Sequence, residues 1–396
     1  MLTYNSSMSL HSTVEFMKKA IIWGGISLGG IIVLVILFQV GIFVKNILYP
    51  PQITPPSKLY QALPALEFPT NATSNNITYT LNTLSGDFPD FPDRLRVYPL
   101  VQPEPNFLNL NKAKAKVSAL GFTNFSGAPL PETALGNANY SWAQTTNPYE
   151  KIQFNIVNFD FTLTSRYLSY LPVLNAQQLS DQTAAIERTK VFLSAIGLLP
   201  DDIDMTKTQD PPKDVDYLTK PQLFSIRNGT LVPTTSLSKA QIIRVDLYQK
   251  DIAYTMGTGV PNGTGGFQTI DISLPILYPH PPYSTMNFLI GSGTSESDVY
   301  AANFVHKAIT FPTDADPEAT YGIKTAKDAF QELKDGGGYI ATDPGTDTEI
   351  LINNIYLAYY LGEGQQKYLM PIIVFEGENG FFAYVSAVKN DEILRE

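Results

Sequence analysis

Three histidines and no cysteine bound the chemistry open to this chain of 396 residues. Without cysteine there is no thiolate nucleophile, no cysteine-ligated metal and no disulfide. His11 lies near the N-terminus, His280 in the proline-rich "YPHPPYS" and His306 in "NFVHKAIT"; no two are spaced as zinc ligands. A triad built on His306 would need a serine and a carboxylate, and Ser292 in "GSGTS" stands outside a GxSxG elbow. His306 therefore reads as a partly exposed strand residue. The glycine-rich Gly257–Gly266, "GTGVPNGTGG", lacks the Lys-Ser/Thr pair of a P-loop and reads as a hairpin loop. Asp314, Asp316, Asp343 and Asp347 lack EF-hand spacing and read as acidic turns, with weak calcium binding as the alternative. Carboxylates paired for glycoside hydrolysis meet only in space, and nothing in the chain favours them. The expectation is a non-enzyme with no catalytic, cofactor-binding or metal-ligating residues and no cofactor.

The stretch Thr325–Ile340, "TAKDAFQELKDGGGYI", poses a separate question, because a helix halted by three glycines can open a catalytic loop or cradle a phosphate. Thr325 occupies a natural N-cap position with Asp328 three residues later, in the manner of a capping box. Ala326, Ala329, Phe330 and Leu333 then fall on one helical face. Gly336 suits the left-handed position that ends a helix. The glycines thus read as a helix stop and a turn into a strand. Three antiparallel strands follow, "EILINNIYLAYYL", "KYLMPIIVFEG" and "GFFAYVSAV", joined at Gly362-Glu363-Gly364 and Glu378-Asn379-Gly380. Tyr356, Tyr359 and Tyr360 on the first strand are the candidate interaction surface. Tyrosine brings contact area and a hydroxyl at low entropic cost, although ordinary packing explains most buried rings.

An internal echo precedes this unit. "KAKAKVSALGF" ends at Phe122 and "IERTKVFLSAIGL" at Leu198, 76 residues later. Each reads as a helix with one apolar face stopped by glycine, the first carrying Ala113, Val117 and Leu120, the second Ile186, Leu193 and Ile196. In "YEKIQFNIVNFDFTLTSRYL" the alternation changes phase before Phe159, which marks a bulge. Asn228-Gly229 within "PQLFSIRNGTLVPT" signals a hairpin.

Ala20–Val44 holds 25 consecutive residues without a charge, longer than a signal-peptide core and enough to cross a bilayer as a helix. Lys18 and Lys19 precede it, which orients the N-terminus to the cytoplasm and places the chain in the plasma membrane as a single-pass protein. Gly25 and Gly29 form a GxxxG pattern through which such helices pack, against a partner or a second copy, though glycine is also simply common in membrane helices. Between Pro50 and Pro105 lie 11 of the 29 prolines, so the segment reads as a stalk. A net charge of −10 with scattered lysines argues against nucleic acid as a partner. The division expected is a tail over 1–19, a membrane helix over 20–44, a stalk over 45–105 and modules over 106–175, 176–312 and 313–396. The fold class expected is α+β, a single N-terminal transmembrane helix followed by tandem helix-plus-antiparallel-sheet modules.

The last 75 or so residues resemble the C-terminal module of YycI-type proteins and related PepSY-like domains. The resemblance rests on Ala326 and Ala329, on Leu357, Ala358, Tyr359 and Tyr360, and on Leu369, Pro371 and Phe375. Ala358 stands where glycine is usual, and Ile373 near where tryptophan is often found. The resemblance implies a membrane-anchored extracytoplasmic regulator, with a sensor histidine kinase as the kind of partner, and brings no catalytic residues. The function expected is non-enzymatic regulation or scaffolding through another envelope or membrane protein, with the lipid bilayer as a second contact. An envelope enzyme, a protease-inhibitor module or a glycan-binding module is the alternative; an enzyme should show a deep pocket with converging ionisable groups.

Overall fold

The computed structural model describes residues 56–70, 77–144, 150–174, 182–205, 222–261, 267–291, 299–313, 317–342 and 348–394, together with Trp23 and Val35. Pro56–Tyr254 and Ile272–Glu396 form one compact unit, and Met1–Pro55 with Thr255–Asp271 a second. Strands are numbered along the chain.

The C-terminal sheet of the first unit runs β1 (Thr78–Leu81), β18 (Glu349–Tyr360), β19 (Tyr368–Gly377), β20 (Phe382–Ser386) and β17 (Tyr339–Ile340). β13 (Ile276–Leu277) pairs in parallel with the end of β18, and β3 (Tyr98–Pro99) pairs with the start of β19. Alternate residues of its strands enter different cores. Ile355, Leu357, Ile373, Phe375, Ala383 and Val385 pack on one face; Ala358, Tyr360, Ile372, Val374, Phe382 and Tyr384 pack on the other. A sheet covered on both faces explains why β19 is nearly continuous apolar sequence rather than alternating.

The second sheet is antiparallel throughout. Its order is β4 (Thr133–Gly136), β5 (Asn139–Ala143), β6 (Lys151–Asn155), β7 (Phe161–Thr164), β15 (Val299–Phe304), β14 (Met286–Gly291), β10 (Ile242–Asp246), β8 (Gln222–Arg227) and β9 (Thr230–Pro233). Asn228 and Gly229, both at positive φ, make the expected two-residue hairpin between β8 and β9. β2 (Arg94–Arg96) pairs with β16 (Thr320–Gly322). β11 (Ile252–Pro261) pairs with β12 (Phe267–Leu274), and Thr255 Oγ1 donates to Asp271 Oδ1 at 2.7 Å.

Three helices longer than one turn occur among the described residues: α1 (Asn109–Ala119), α2 (Gln182–Ala195) and α3 (Ala326–Lys334). All three end in one device. The amide of the residue after the stop glycine reaches back to a carbonyl of the last turn: Phe122 to Val117, Leu198 to Leu193 and Gly337 to Glu332. The echo in the sequence is therefore an echo of helix stops, and Lys116 Nζ in α1 donates to the Ile196 carbonyl at the end of α2. At the start of α3 the Thr325 hydroxyl accepts from the Asp328 amide at 3.1 Å. Gly336 sits at φ +82°, and a Cβ on Gly338 would stand 2.6 Å from Leu333 Cδ1. The three glycines brace a sheet.

The architecture corrects the expected fold class. Among the described residues strand outweighs helix, 40% against 18%. Strands expected to close separate α+β modules join one nine-stranded sheet, because an edge left at each module boundary would carry unpaired amides and carbonyls. No helix among the described residues is long and apolar enough to cross a membrane. Gly25, Gly29 and all of 20–44 except Trp23 and Val35 lie outside the described residues, as do His11, Ser292, Asp314, Asp316, Asp343 and Asp347. The expected stalk is largely woven in: Leu63, Leu95, Val97 and Tyr98 are buried, and β1 to β3 pair with strands from beyond residue 319. The phase change before Phe159 is a hairpin turn between β6 and β7, not a bulge.

Phe375 is fully buried, 5.9 Å between ring centroids from Phe330 on α3. Replacing it with alanine removes that contact and leaves a cavity, so Phe375→Ala should lower unfolding free energy by about 3–5 kcal/mol. Thr325→Ala should cost only about 1 kcal/mol through the lost cap. Urea denaturation of both variants checks the ranking.

Candidate functional site

At one end of the two sheets the chain makes three turns, each of which carries amide side chains. In the β4–β5 turn, Asn137 and Ala138 both take positive φ, 49° and 60°. The strain at Ala138 is held by neighbours: its carbonyl accepts from the Ile156 amide at 2.9 Å, and the Asn137 carbonyl accepts from Asn139 Nδ2 at 3.3 Å. In the β6–β7 turn, Asn155 Oδ1 accepts from the Val157 amide and Asn158 Oδ1 from the Asp160 amide, two side chains mimicking backbone turns. Phe159 between them sits at φ 62°, its half-buried ring packed against the core under Lys116 while the backbone reverses. In the β18–β19 turn, Gln366 Oε1 accepts from the Gly362 amide and its Nε2 donates to the Tyr360 and Tyr368 carbonyls.

Between these turns and the segment after β3 lies a cleft of about 800 Å³. Asn137, Asn139, Gln153, Asn155, Asn158 and Gln365 are among its lining residues, and none of the described lining residues is Phe, Tyr or Trp. Its charged groups come from places distant in sequence: Asp160 before β7, His306 and Lys307 after β15, and Glu363 in the β18–β19 turn. The register explains the meeting. Phe304 of β15 pairs with Phe161 of β7, so the residues just beyond them lie together. Asp160 Oδ1 accepts from the His306 amide at 3.3 Å, and Asp160 Oδ2 accepts from Asn158 Nδ2.

Behind the cleft His306 Nε2 lies 2.9 Å from Asp202 Oδ1. Gln249 Nε2 donates to Asp202 Oδ2 at 2.7 Å and to the Lys307 carbonyl at 3.2 Å. Lys307 Nζ donates to the Gly362 and Gly364 carbonyls, which fixes one wall of the cleft to the other. Burial pushes the Asp160 carboxyl up to about 6, against the opposing pull of its hydrogen bonds and Lys307. Burial also opposes ionisation of Asp202, but the His306 and Gln249 hydrogen bonds outweigh it and hold this carboxyl below its ordinary value. Desolvation lowers the Lys307 ammonium, despite Asp160 and Glu363 nearby.

The expected sites fare differently. Tyr359 and Tyr360 are buried at 0% and 1% exposure and Tyr356 is half-buried, so the strand offers no exposed tyrosine face. Their rings pack instead against Tyr98, Tyr384 and Phe68. His306 does follow a strand, half-buried as read, but in the company of Asp202 and Asp160. These partners lie 104 and 146 residues away, and no local signal announces them.

Asp160 has its folded-state value above that of an unfolded aspartate, so its protonated form favours the fold below about pH 4. That contribution is lost as pH rises through about 6. A carbon-detected NMR titration should find the Asp160 carboxyl midpoint near 6. Lys307→Met should move that midpoint upward, since a nearby cation is removed; a downward shift would contradict the geometry.

No family model and no curated protein matches the chain. Two solved structures show distant likeness. One is an uncharacterized protein from Eubacterium rectale ATCC 33656, 11% identical, covering 82% of this chain and 92% of its own, with a TM-score of 0.33. The other is the Bacillus megaterium YpeB C-terminal domain, 8% identical, covering 73% of this chain and 95% of its own, with a TM-score of 0.27. No match supports a YycH or YycI relationship. Overlaps this low carry no argument about fold or function.

Proposed function

We propose that this is a non-enzymatic regulatory or scaffolding protein, and that the amide-lined cleft is where it receives an extended segment of another protein. The observation that carries the reading is the lining itself. Asparagine and glutamine each offer a donor and an acceptor, which matches the alternating groups of a peptide backbone; Asn155, Asn158 and Gln366 spend theirs on the turns, and the exposed Asn137, Gln153 and Gln365 present theirs to the cleft. Sugar rings are usually gripped by the broad faces of tyrosine and tryptophan as well, and the described lining supplies neither; its one flat ring is the His306 imidazole, held by Asp202. The ionisable groups that could do chemistry are engaged with the protein: His306 with Asp202, and Lys307 with two carbonyls.

One observation favours a second reading. A carboxyl that titrates near 6, beside a histidine oriented by a carboxylate, is the equipment of general acid–base catalysis. If the purified protein cleaves a peptide or glycan substrate and Asp160→Asn removes the turnover, the enzyme reading prevails.

Panning the protein against random dodecapeptides displayed on phage tests the leading proposal. Gln153 is an exposed residue on β6 at the cleft, and Gln153→Trp fills the space without touching the core. Selected peptides should bind the native protein and lose at least about tenfold in affinity for Gln153→Trp, a loss of about 1.4 kcal/mol. Failure to select any peptide sensitive to this substitution would sink the proposal.

A further inference from the structure

We infer that the segment received by the cleft is basic, with a lysine or arginine side chain entering the end walled by Asp160 and Glu363. The inference rests on the polypeptide-binding reading above and specifies the chemistry of its ligand.

Two carboxylates and one ammonium line that end. The ammonium is already used: Lys307 donates to the Gly362 and Gly364 carbonyls, so its hydrogen bonds serve the wall and not a guest. His306 Nε2 is taken by Asp202. Asp160 accepts one hydrogen bond on each oxygen, from the His306 amide and from Asn158. A carboxylate has room for about four, so it can still receive a donor on each oxygen. Glu363 is exposed and closes no ion pair among the described residues. A guest with a carboxylate or phosphate would meet two like charges against the one ammonium, whose charge the carbonyl hydrogen bonds leave in place.

Covering the cleft sharpens the choice. A neutral segment laid over Asp160 would bury the carboxylate further without a partner, and the group would have to take up a proton. A cationic segment lets it stay ionised. The two ligand classes therefore give opposite pH signs, even though the same cleft holds both. The groups facing Asp160 are His306 and Lys307 from the segment after β15 and Asn158 from its own turn; Glu363 faces Lys307 from the β18–β19 turn. The acidic balance of the whole chain, −10, acts in the same direction at longer range.

The peptides selected by phage display provide the probe. Their sequences should share a lysine or arginine, and a synthetic copy with norleucine there should bind about tenfold more weakly by fluorescence anisotropy. Affinity should rise as pH passes upward through about 6, where Asp160 ionises. Glu363→Lys, a substitution on an exposed turn that leaves the core intact, should weaken the basic peptide about tenfold and tighten a glutamate-substituted copy. Peptides that are blocked by Gln153→Trp yet carry no shared basic residue, or that tighten as pH falls, would overturn the basic ligand and leave the peptide-binding reading standing. If no peptide is blocked by Gln153→Trp, both readings fall together.

Discussion

The fold depends on a sheet whose central part has no solvent face. β19 and the second half of β18 carry side chains into two separate cores, where a polar atom costs free energy unless it finds a partner. That requirement explains features that look unrelated. Tyr359, buried on the strand, turns its hydroxyl to the Arg96 carbonyl at 2.8 Å. Tyr384 reaches the Tyr278 carbonyl and Tyr339 the Pro279 carbonyl. Lys324, only 7% exposed, is paired with Glu332 of α3. The wall also needs its edges closed, and the proline-rich N-terminal segment supplies β1 in parallel beside β18.

The candidate site follows from where this wall ends. β18 and β19 turn at Gly362–Gln366, and the adjoining sheet brings β15 and β7 to the same end. Lys307 spans the gap by donating across it to two carbonyls of the turn. The cleft is thus the unfilled space where the margins of two sheets are held together by polar contacts rather than by apolar packing. Its lining is rich in amides for the same reason: turns need side chains that can satisfy backbone groups, and asparagine does this locally.

Local signals in the sequence were reliable where one residue and its near neighbours decide the outcome. Thr325, Gly336, Asn228-Gly229 and Asn379-Gly380 each specify a cap or turn through their own backbone preferences, and each is found in that role. The echo of Gly121 and Gly197 was legible as well, but it encodes helix ends and not separate modules. What failed was partnership at a distance. A proline-rich stretch looks the same whether it stands free or lies against a sheet, because its missing amides matter only once a neighbour is known. Tyr356, Tyr359 and Tyr360 alternate equally well on an exposed strand and on one buried on both faces. Asp160, Asp202 and His306 have no shared spacing; the pairing of β7 with β15 joins two of them, and Gln249 helps seat the third.

The strained turns argue that the cleft is formed before any ligand arrives. A bulky residue at positive φ costs about 1–2 kcal/mol, and Phe159 keeps that conformation because its ring is committed to the core. Ala138 is fixed from the other side by the Ile156 amide. Both strains persist only because the surrounding structure over-determines them. A wall so held does not need to order itself around a guest, which reduces the entropic cost of binding. The same rigidity restricts what fits: Lys307 and Gln366 tie the β18–β19 turn in place, and Asn155 and Asn158 cannot turn away without releasing the strained β6–β7 turn.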